Sequence, residues 1–272
     1  MAGSSSSTPP WWHTPGRGSY RGAMRCIGID LSWTARRPSG FALIDPAADG
    51  LVQTWTATLA PAEVAAWLDG FEDAVVGVDA PLVNRPGRTA EAELARALGR
   101  YGVTAYGIGN GFLERRGLAA GPQLGELLAA RGWSFEPPGP GAGRRFAFET
   151  FPRALILSLL RAAEVPPYKR GRLAGRAAAL ATCHDLLEGA LAAAGMRLDF
   201  PLPAAPAHGA CPRGRELKAA EDRLDAAVCA FAAWQAASRG LEPGDLFGSA
   251  ASGLIVVPGA GRLTSARGRT SP

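Results

Sequence analysis

Three acidic residues stand at the ends of apolar segments that the sequence predicts to be strands. Asp30 ends the segment RCIGID, Asp79 ends AVVGVD, and Glu149 lies near the end of RFAFET. A carboxylate in such a place is poorly solvated and normally needs a cation, a partner or an added proton. Because ligand sites of open α/β sheets lie at the carboxyl ends of strands, these acids are candidate catalytic residues.

A second acidic feature is the segment EDRLDA, residues 221–226, on a predicted long helix. Asp222 and Asp225 are three residues apart, so they share one face of that helix. Taken alone, the pair is typical of a solvated acidic helix start, which the helix dipole favours. Combined with the three strand-end acids, it indicates a functional site.

The chemistry that suits this set of acids is metal-ion chemistry. Carboxylates that converge in a poorly hydrated cleft favour a hard divalent cation such as Mg²⁺ or Mn²⁺. We expect Asp30, Asp79, Asp222 and Asp225 to hold the metal, and Asp30, Asp79, Glu149 and Asp225 to act in catalysis. Two such ions about 4 Å apart can activate a water and stabilise the leaving oxygen of a phosphodiester.

Four further residues are candidates for substrate binding. Lys169 and Arg176 belong to a basic run that could bind phosphates or could form a solvated helix face. Lys218 lies one turn before Asp222 and could pair with it or with a substrate phosphate. Trp33 follows the first predicted strand and could stack on a base or line the wall of a cleft.

The pattern of apolar residues predicts one mixed α/β domain over residues 24–258, between disordered tails at 1–23 and 259–272. The predicted strands span residues 25–31, 40–45, 51–57, 74–79 and 145–150, with 254–257 as a possible last short strand. The predicted helices span residues 61–69, 89–100, 123–131, 152–163, 172–194 and 215–238.

Composition excludes several classes of protein. The 272 residues are 47% hydrophobic and 19% charged, which is globular rather than disordered composition. The longest nearly apolar stretch, 224–237, is too short and too interrupted to span a bilayer. Residues 1–23 lack the pattern of a secretory signal, so we expect a cytoplasmic protein without a membrane partner.

The net charge of +5 is weak evidence for a nucleic-acid surface. Five arginines in residues 1–23 and 259–272 account for the whole excess, and those two segments contain no acidic residue. The predicted domain is therefore formally neutral, and local clusters would have to supply any basic surface.

Several segments, taken together and in this order, resemble a known family. They are GIDLS at 28–32, VGVDAPL at 76–82, ETFPRA at 149–154, Tyr168-Lys169 with Arg176 downstream, and DRLDA at 222–226. They are similar to the family labelled domain of unknown function 429, whose members are predicted nucleases of the ribonuclease H-like fold. The resemblance covers about residues 24–258.

The resemblance implies an α/β fold with a mixed five-stranded sheet of order 3-2-1-4-5, flanked by helices. In that order the first, fourth and fifth strands are neighbours, so Asp30, Asp79 and Glu149 would lie side by side. Holliday-junction resolvases of the same superfamily have a similar arrangement, which Asp30, Asp79, Asp222 and Asp225 match; Glu149 is an extra acid. The implied partner is DNA, RNA or a small phosphorylated substrate.

Two alternative functions stay open. GIDLS faintly resembles the first phosphate loop of sugar kinases, which would indicate an ATP-binding or phosphotransfer protein of the related actin-like fold. A second glycine-rich phosphate loop is missing, which disfavours this interpretation. A non-catalytic nucleic-acid-binding module is disfavoured by the neutral domain and by the five retained acids.

Overall fold

The structure is a computed structural model that describes residues 24–34, 36–105, 107–108, 112–137, 145–200, 202 and 214–265. The predicted tail at 1–23 lies outside the described residues, as does the segment 266–272 of the second predicted tail. Within the described part of the chain, none of the helices combines the length and the apolar character needed to cross a bilayer.

The described strands form one eight-stranded sheet of order β6-β3-β2-β1-β4-β5-β8-β7. They are β1 (Arg25–Asp30), β2 (Ser39–Ile44), β3 (Leu51–Ala57), β4 (Ala74–Val78), β5 (Arg145–Glu149), β6 (Arg197–Leu198), β7 (Leu246–Ser249) and β8 (Gly253–Val256). Strand β2 runs antiparallel to β1 and β3, and β7 runs antiparallel to β8. The other neighbouring pairs are parallel.

The prediction of a five-stranded sheet is therefore wrong in the number of strands, since the described sheet has eight. Strands β3-β2-β1-β4-β5 are consecutive neighbours, and the sheet continues with β6 at one edge and with β8 and β7 at the other. Strand β6 has two residues, which pair with Leu51 and Val52, and is too short to show an alternating pattern. Strand β7 contains Gly248 and ends in a serine, so its composition is that of a turn.

Helices cover both faces of the sheet. They are α1 (Pro61–Leu68), α2 (Ala90–Leu98), α3 (Phe112–Arg116), α4 (Ala120–Ala130), α5 (Pro152–Ser158), α6 (Leu173–Ala192), α7 (Gly214–Arg239) and α8 (Ala260–Ser265). Helix α7 packs across β1, β2 and β4, with α5 and α6 against it. The opposite face of the sheet packs against α1 and α4.

Helical structure is present beyond Pro258, within the segment 259–272 that the sequence predicts to be a tail. Helix α8 lies inside the segment 259–272, and its Ala260 is fully buried. The amide of Gly261 donates a 3.1 Å hydrogen bond to Asp245 Oδ1, which holds the helix start against the turn Pro243–Asp245. Helix α5 is shorter than the helix predicted over residues 152–163, since it ends at Ser158.

Helix α7 lies unusually close to the sheet where β1 and β2 meet it. A Cβ on Gly28 would stand 1.9 Å from the carbonyl oxygen of Ala226, and a Cβ on Gly40 would stand 1.9 Å from that of Asp222. Only glycine permits this approach, since real Cβ contacts are much longer. The glycines therefore fix the height of α7 above the sheet, and with it the position of the acids on α7.

Candidate metal centre

Asp30 and Asp79 lie side by side at the carboxyl edge of the sheet. Strands β1 and β4 are parallel and pair Ile29 with Val78, so the next residue of each chain segment occupies the same row. The amide of Asp79 donates a 2.8 Å hydrogen bond to the carbonyl of Ile29, which continues the ladder past the end of β4. Because Gly28 and Gly77 in the same row pack under α7, both aspartates belong to the α7 face.

Helix α7 brings a third carboxylate to this edge. Asp225 is fully buried, and one carboxylate oxygen from each of Asp30, Asp79 and Asp225 lies within 4.8 Å of the other two. The side chain of Asp79 keeps 19% of its surface exposed, so the cluster opens to solvent on the side of the two strand residues. The predicted convergence of strand and helix acids is present in the structure for these three residues.

Two consecutive residues before α6 reach into this cluster. The ammonium of Lys169 lies 2.6 Å from Asp225 Oδ2 and 3.8 Å from Asp79 Oδ2. The buried phenol of Tyr168 donates a 2.8 Å hydrogen bond to Asp225 Oδ1. Both oxygens of Asp225 therefore face a donor from this one segment.

Burial and mutual repulsion change the titration of the cluster. Burial, together with Asp225 and Asp79, raises the pKa of Asp30 well above its ordinary value, although Lys169 opposes this. Burial also raises the pKa of Asp79 to about 6, again against the effect of Lys169. Burial opposes the charge on Lys169, but the neighbouring carboxylates raise the pKa of Lys169 well above its ordinary value.

Asp222 lies beside the cluster rather than among its three closest carboxylates. Its Oδ1 accepts a hydrogen bond from the ammonium of Lys218, one turn earlier on α7. Asp222 is one of the two partners that the sequence predicted for Lys218. Asp222 contributes to the raised pKa of Asp30, whose first cause is burial, so the two side chains interact electrostatically. The Lys218–Asp222 pair thus forms one rim of the site.

Glu149 does not join the cluster, which corrects its predicted place beside Asp30 and Asp79. Strand β5 pairs Glu149 with Val78, not with Asp79, and Val78 belongs to the core on the α1 and α4 face. Successive strand residues point to opposite faces, so a shift of one residue directs Glu149 away from α7. There it lies 2.5 Å from the guanidinium of Arg88, which also contacts Glu91 at 2.6 Å.

The remaining substrate-binding candidates occupy two different settings. The guanidinium of Arg176 lies 2.6 Å from Glu221 on α7 and also donates to the carbonyl of Tyr168 at 3.3 Å. Arg176 thus connects α7 with the segment that carries Tyr168 and Lys169. Trp33 is 43% exposed in the loop that follows β1. Binding of substrate by Lys169, Arg176, Lys218 and Trp33 stays a prediction.

Sequence reasoning missed two groups of contacts. Arg88, the partner of Glu149, and Glu91, the second partner of Arg88, carry no motif and are 58 or more residues from Glu149 in sequence. The sequence pointed to Tyr168 only as part of the family pattern and assigned it no role. Its hydrogen bond to Asp225 depends on the packing of α6 against α7. An aromatic hydroxyl beside a lysine in the segment PPYKR was the available signal.

The donor set at this edge fits a hard divalent cation. Asp30, Asp79, Asp222 and Asp225 supply only oxygen ligands, which Mg²⁺ and Mn²⁺ prefer over softer metals. Among the described residues at the site, these four carboxylates face the ammonium groups of two lysines, so two negative charges are left to balance. On α6, a separate group of His184, Asp185 and Glu188 also has its donor atoms within 4.8 Å of one another.

Comparison with known proteins identifies the family of the chain but no named activity. No curated protein and no solved structure matches the chain significantly. A family model described as "Protein of unknown function (DUF429)" matches residues 28–244, which include the three clustered aspartates and the Tyr168-Lys169 segment. Since this match spans most of the sequence, the chain belongs to the DUF429 family of proteins of unknown function.

Proposed function

We propose that this protein is a divalent-metal-dependent phosphodiesterase, acting as a nuclease on DNA or RNA. The observation that carries the proposal is the convergence of Asp30, Asp79 and Asp225, with donor oxygens within 4.8 Å of one another at the carboxyl edge of the sheet. Three buried or half-buried carboxylates at this distance repel one another, and a cation between them relieves that repulsion.

We further propose that the fold is ribonuclease H-like. The five central strands have the order 3-2-1-4-5 that the family resemblance implies, and they combine parallel and antiparallel pairs. The added strands lie only at the two edges of the sheet, away from the β1–β4 pair that holds the acids. This arrangement supports the proposal because Asp30 and Asp79 lie at the carboxyl ends of the neighbouring strands β1 and β4, within that order.

The residues have distinct roles in this proposal. Asp30 and Asp79, on the solvent-accessible side, would hold the metal together with Asp225, which Tyr168 orients by its hydrogen bond. When bound, Mg²⁺ or Mn²⁺ supplies Lewis acidity and lowers the pKa of a coordinated water. Glu149 is not part of the proposed catalytic group, because it lies on the opposite face of the sheet.

A cation is also needed for substrate binding at such an acidic edge. A phosphodiester is an anion, and the uncompensated carboxylates would repel it. With the charges of the cluster balanced by a cation, this repulsion is removed and the phosphodiester can approach the solvent-accessible side of the site. A small phosphorylated substrate in place of a nucleic acid is one outcome that the test below separates.

The decisive experiment is cleavage of labelled single-stranded, duplex and branched DNA and RNA, and of a small aryl phosphodiester. Each is incubated with Mn²⁺, with Mg²⁺ and with a chelator. Asp79→Asn should lower the rate by about 100-fold or more, since even outer partners of metal ligands contribute about 10- to 100-fold. Asp49→Asn is the matched control, because Asp49 is exposed and its φ of 46° suits asparagine.

Metal-dependent cleavage that is lost in Asp79→Asn and kept in Asp49→Asn would support the nuclease proposal and name its substrate. Cleavage of only the small phosphodiester would replace nucleic acid by a small phosphorylated substrate. Cleavage that persists in the chelator or in Asp79→Asn would contradict the proposal.

A further inference from the structure

We propose that the ammonium group of Lys169 takes the place of a second metal ion, so that this centre binds a single divalent cation. The inference rests on the proposed metal-dependent function and departs from the expected pair of ions. It makes Lys169 a positioning residue of the metal centre rather than a phosphate-binding residue of the surface.

The position of Lys169 supports this inference first. Its Nζ lies 2.6 Å from Asp225 Oδ2 and 3.8 Å from Asp79 Oδ2, so it stands between the helix acid and one strand acid. In two-metal sites the ions are about 3.5 to 4 Å apart and share the carboxylates between them. An ammonium at this point occupies the space and the oxygen that a second ion would use.

The contacts of Asp225 agree with it. Tyr168 donates a hydrogen bond to Oδ1 of Asp225. Oδ2 accepts no hydrogen bond from the described residues and has the ammonium of Lys169 at 2.6 Å, so a cation already stands at the oxygen that a second metal would use. Asp225 is also fully buried, so on its side of the site water is not available to complete the coordination of a second ion. Asp30 and Asp79 on the solvent-accessible side, together with Asp225, suffice for one ion that keeps several waters.

The charges of the site give the same number of ions. With all four carboxylates ionised, as metal binding requires, the ammonium groups of Lys169 and Lys218 leave two negative charges, which one divalent cation balances. A second divalent cation would leave an excess of positive charge beside the half-buried ammonium of Lys169. Repulsion between cations about 4 Å apart in a partly buried site is strong.

Counting the bound ions in the metal-free protein titrated with Mn²⁺ tests the inference without an activity assay. Isothermal titration calorimetry gives the stoichiometry, and only sites lost in Asp79→Asn are counted, which removes the group on α6. Electron paramagnetic resonance adds a second readout, because two Mn²⁺ ions about 4 Å apart couple magnetically, whereas a single bound ion has no partner to couple with.

Two variants separate the position of the ammonium from its charge. Lys169→Met and Lys218→Met each remove one positive charge from the site, but only the first vacates the space between Asp225 and Asp79. We expect one uncoupled ion in the wild type and in Lys218→Met, and a coupled pair of ions in Lys169→Met.

The possible outcomes are distinguishable. A coupled pair of ions in the wild type would overturn the inference and leave the metal-dependent function standing, and it needs no variant to fold. A single ion in Lys169→Met would also overturn it. No Mn²⁺ binding in the wild type would instead contradict the proposed function, and the inference with it.

Discussion

The phenol of Tyr168 donates a 2.8 Å hydrogen bond to Oδ1 of Asp225, and both side chains are completely buried. The bond joins the segment before α6 to the middle of α7, across 57 residues of sequence. Without this donor, the ion pair of Oδ2 with Lys169 would be the remaining contact that orients the buried carboxylate among the described residues. The orientation of the helix acid toward the two strand acids therefore depends on a residue outside α7.

Replacing Tyr168 by phenylalanine should weaken metal binding about 10- to 100-fold, as loss of an outer partner of a metal ligand does. The substitution removes only the hydroxyl, so the packing of the buried ring is kept. Mn²⁺ affinity by calorimetry is the measurement. Tyr101→Phe is the matched control, because the half-buried Tyr101 accepts its hydrogen bond from Arg100. Equal Mn²⁺ affinity in wild type and Tyr168→Phe would show that Asp225 needs no such orientation.

Gly28→Ala should destabilise the protein and weaken the metal centre together. The new Cβ would stand 1.9 Å from the carbonyl of Ala226, so α7 must move away from β1. We expect the free energy of unfolding to fall by about 1 to 3 kcal/mol, the usual cost of an overpacked core. Because Asp225 precedes Ala226, the same movement displaces it from Asp30 and lowers Mn²⁺ affinity.

The control for this prediction is Gly189→Ala on α6, where a Cβ would meet nothing within 4 Å. Alanine there should raise the free energy of unfolding by about 0.5 to 1 kcal/mol, since glycine is unfavourable inside a helix. Chemical denaturation measures both variants. If Gly28→Ala were as stable as the wild type, the close approach of α7 to β1 would not be required.

Glu149 should make the stability of the protein depend on pH. One guanidinium, that of Arg88, faces the carboxyl groups of both Glu149 and Glu91, and burial raises the pKa of Glu149 from 4.5 to about 8. Between these values the folded protein keeps a proton that the unfolded chain has released. Folding then takes up a proton, so the contribution of Glu149 is greatest below pH 4.5 and is lost as the pH rises to about 8.

The measurement is the free energy of unfolding against pH in the presence of a chelator. Uptake of one full proton corresponds to a fall of about 1.4 kcal/mol per pH unit. We expect a smaller fall in Glu149→Gln than in the wild type, and no such change in Glu72→Gln, which replaces an exposed acid. A wild-type slope in Glu149→Gln would contradict the proposed protonation.

The sequence was sufficient to predict the central strands and the acids of β1, β4 and α7. Strands β1 and β4 are short, apolar and buried on both faces, so their ends were recognisable. The strand order that places Asp30 beside Asp79 came from the family resemblance, and the parallel pairing of β1 with β4 agrees with it. Asp225 was recognisable from its spacing to Asp222 on a long helix. These features are local, and the family match covers them.

The rest depends on contacts that sequence patterns do not encode. Whether Glu149 faces α7 or the opposite layer depends on a register difference of one residue, and the apolar run RFAFE is compatible with both. The sequence pattern at Lys169 is typical of a solvated basic run, yet packing places its ammonium between the carboxylates of Asp225 and Asp79. Strand β6 exists because α6 ends beside β3, not because its own two residues favour a strand.

Trp33 gives the last prediction, which concerns the substrate. Met24 and Trp33 are the large apolar side chains that are exposed among the described residues, at 39% and 43%, and Trp33 follows the end of β1 that carries Asp30. Stacking of a base on an exposed aromatic ring contributes about 1 to 3 kcal/mol. We therefore expect Trp33→Ala to weaken binding of a single-stranded oligonucleotide by about 5-fold or more.

Fluorescence anisotropy of a labelled oligonucleotide with cleavage-resistant linkages, measured with Mg²⁺ present, gives this affinity. Met24→Ala is the matched control, because Met24 precedes β1 and so lies at the opposite end of the strand from the acids. A loss of affinity in Trp33→Ala alone would locate the nucleobase beside the metal centre. Equal affinities in both variants would mean that Trp33 does not contact a base, and a substrate without a base would then fit the site better.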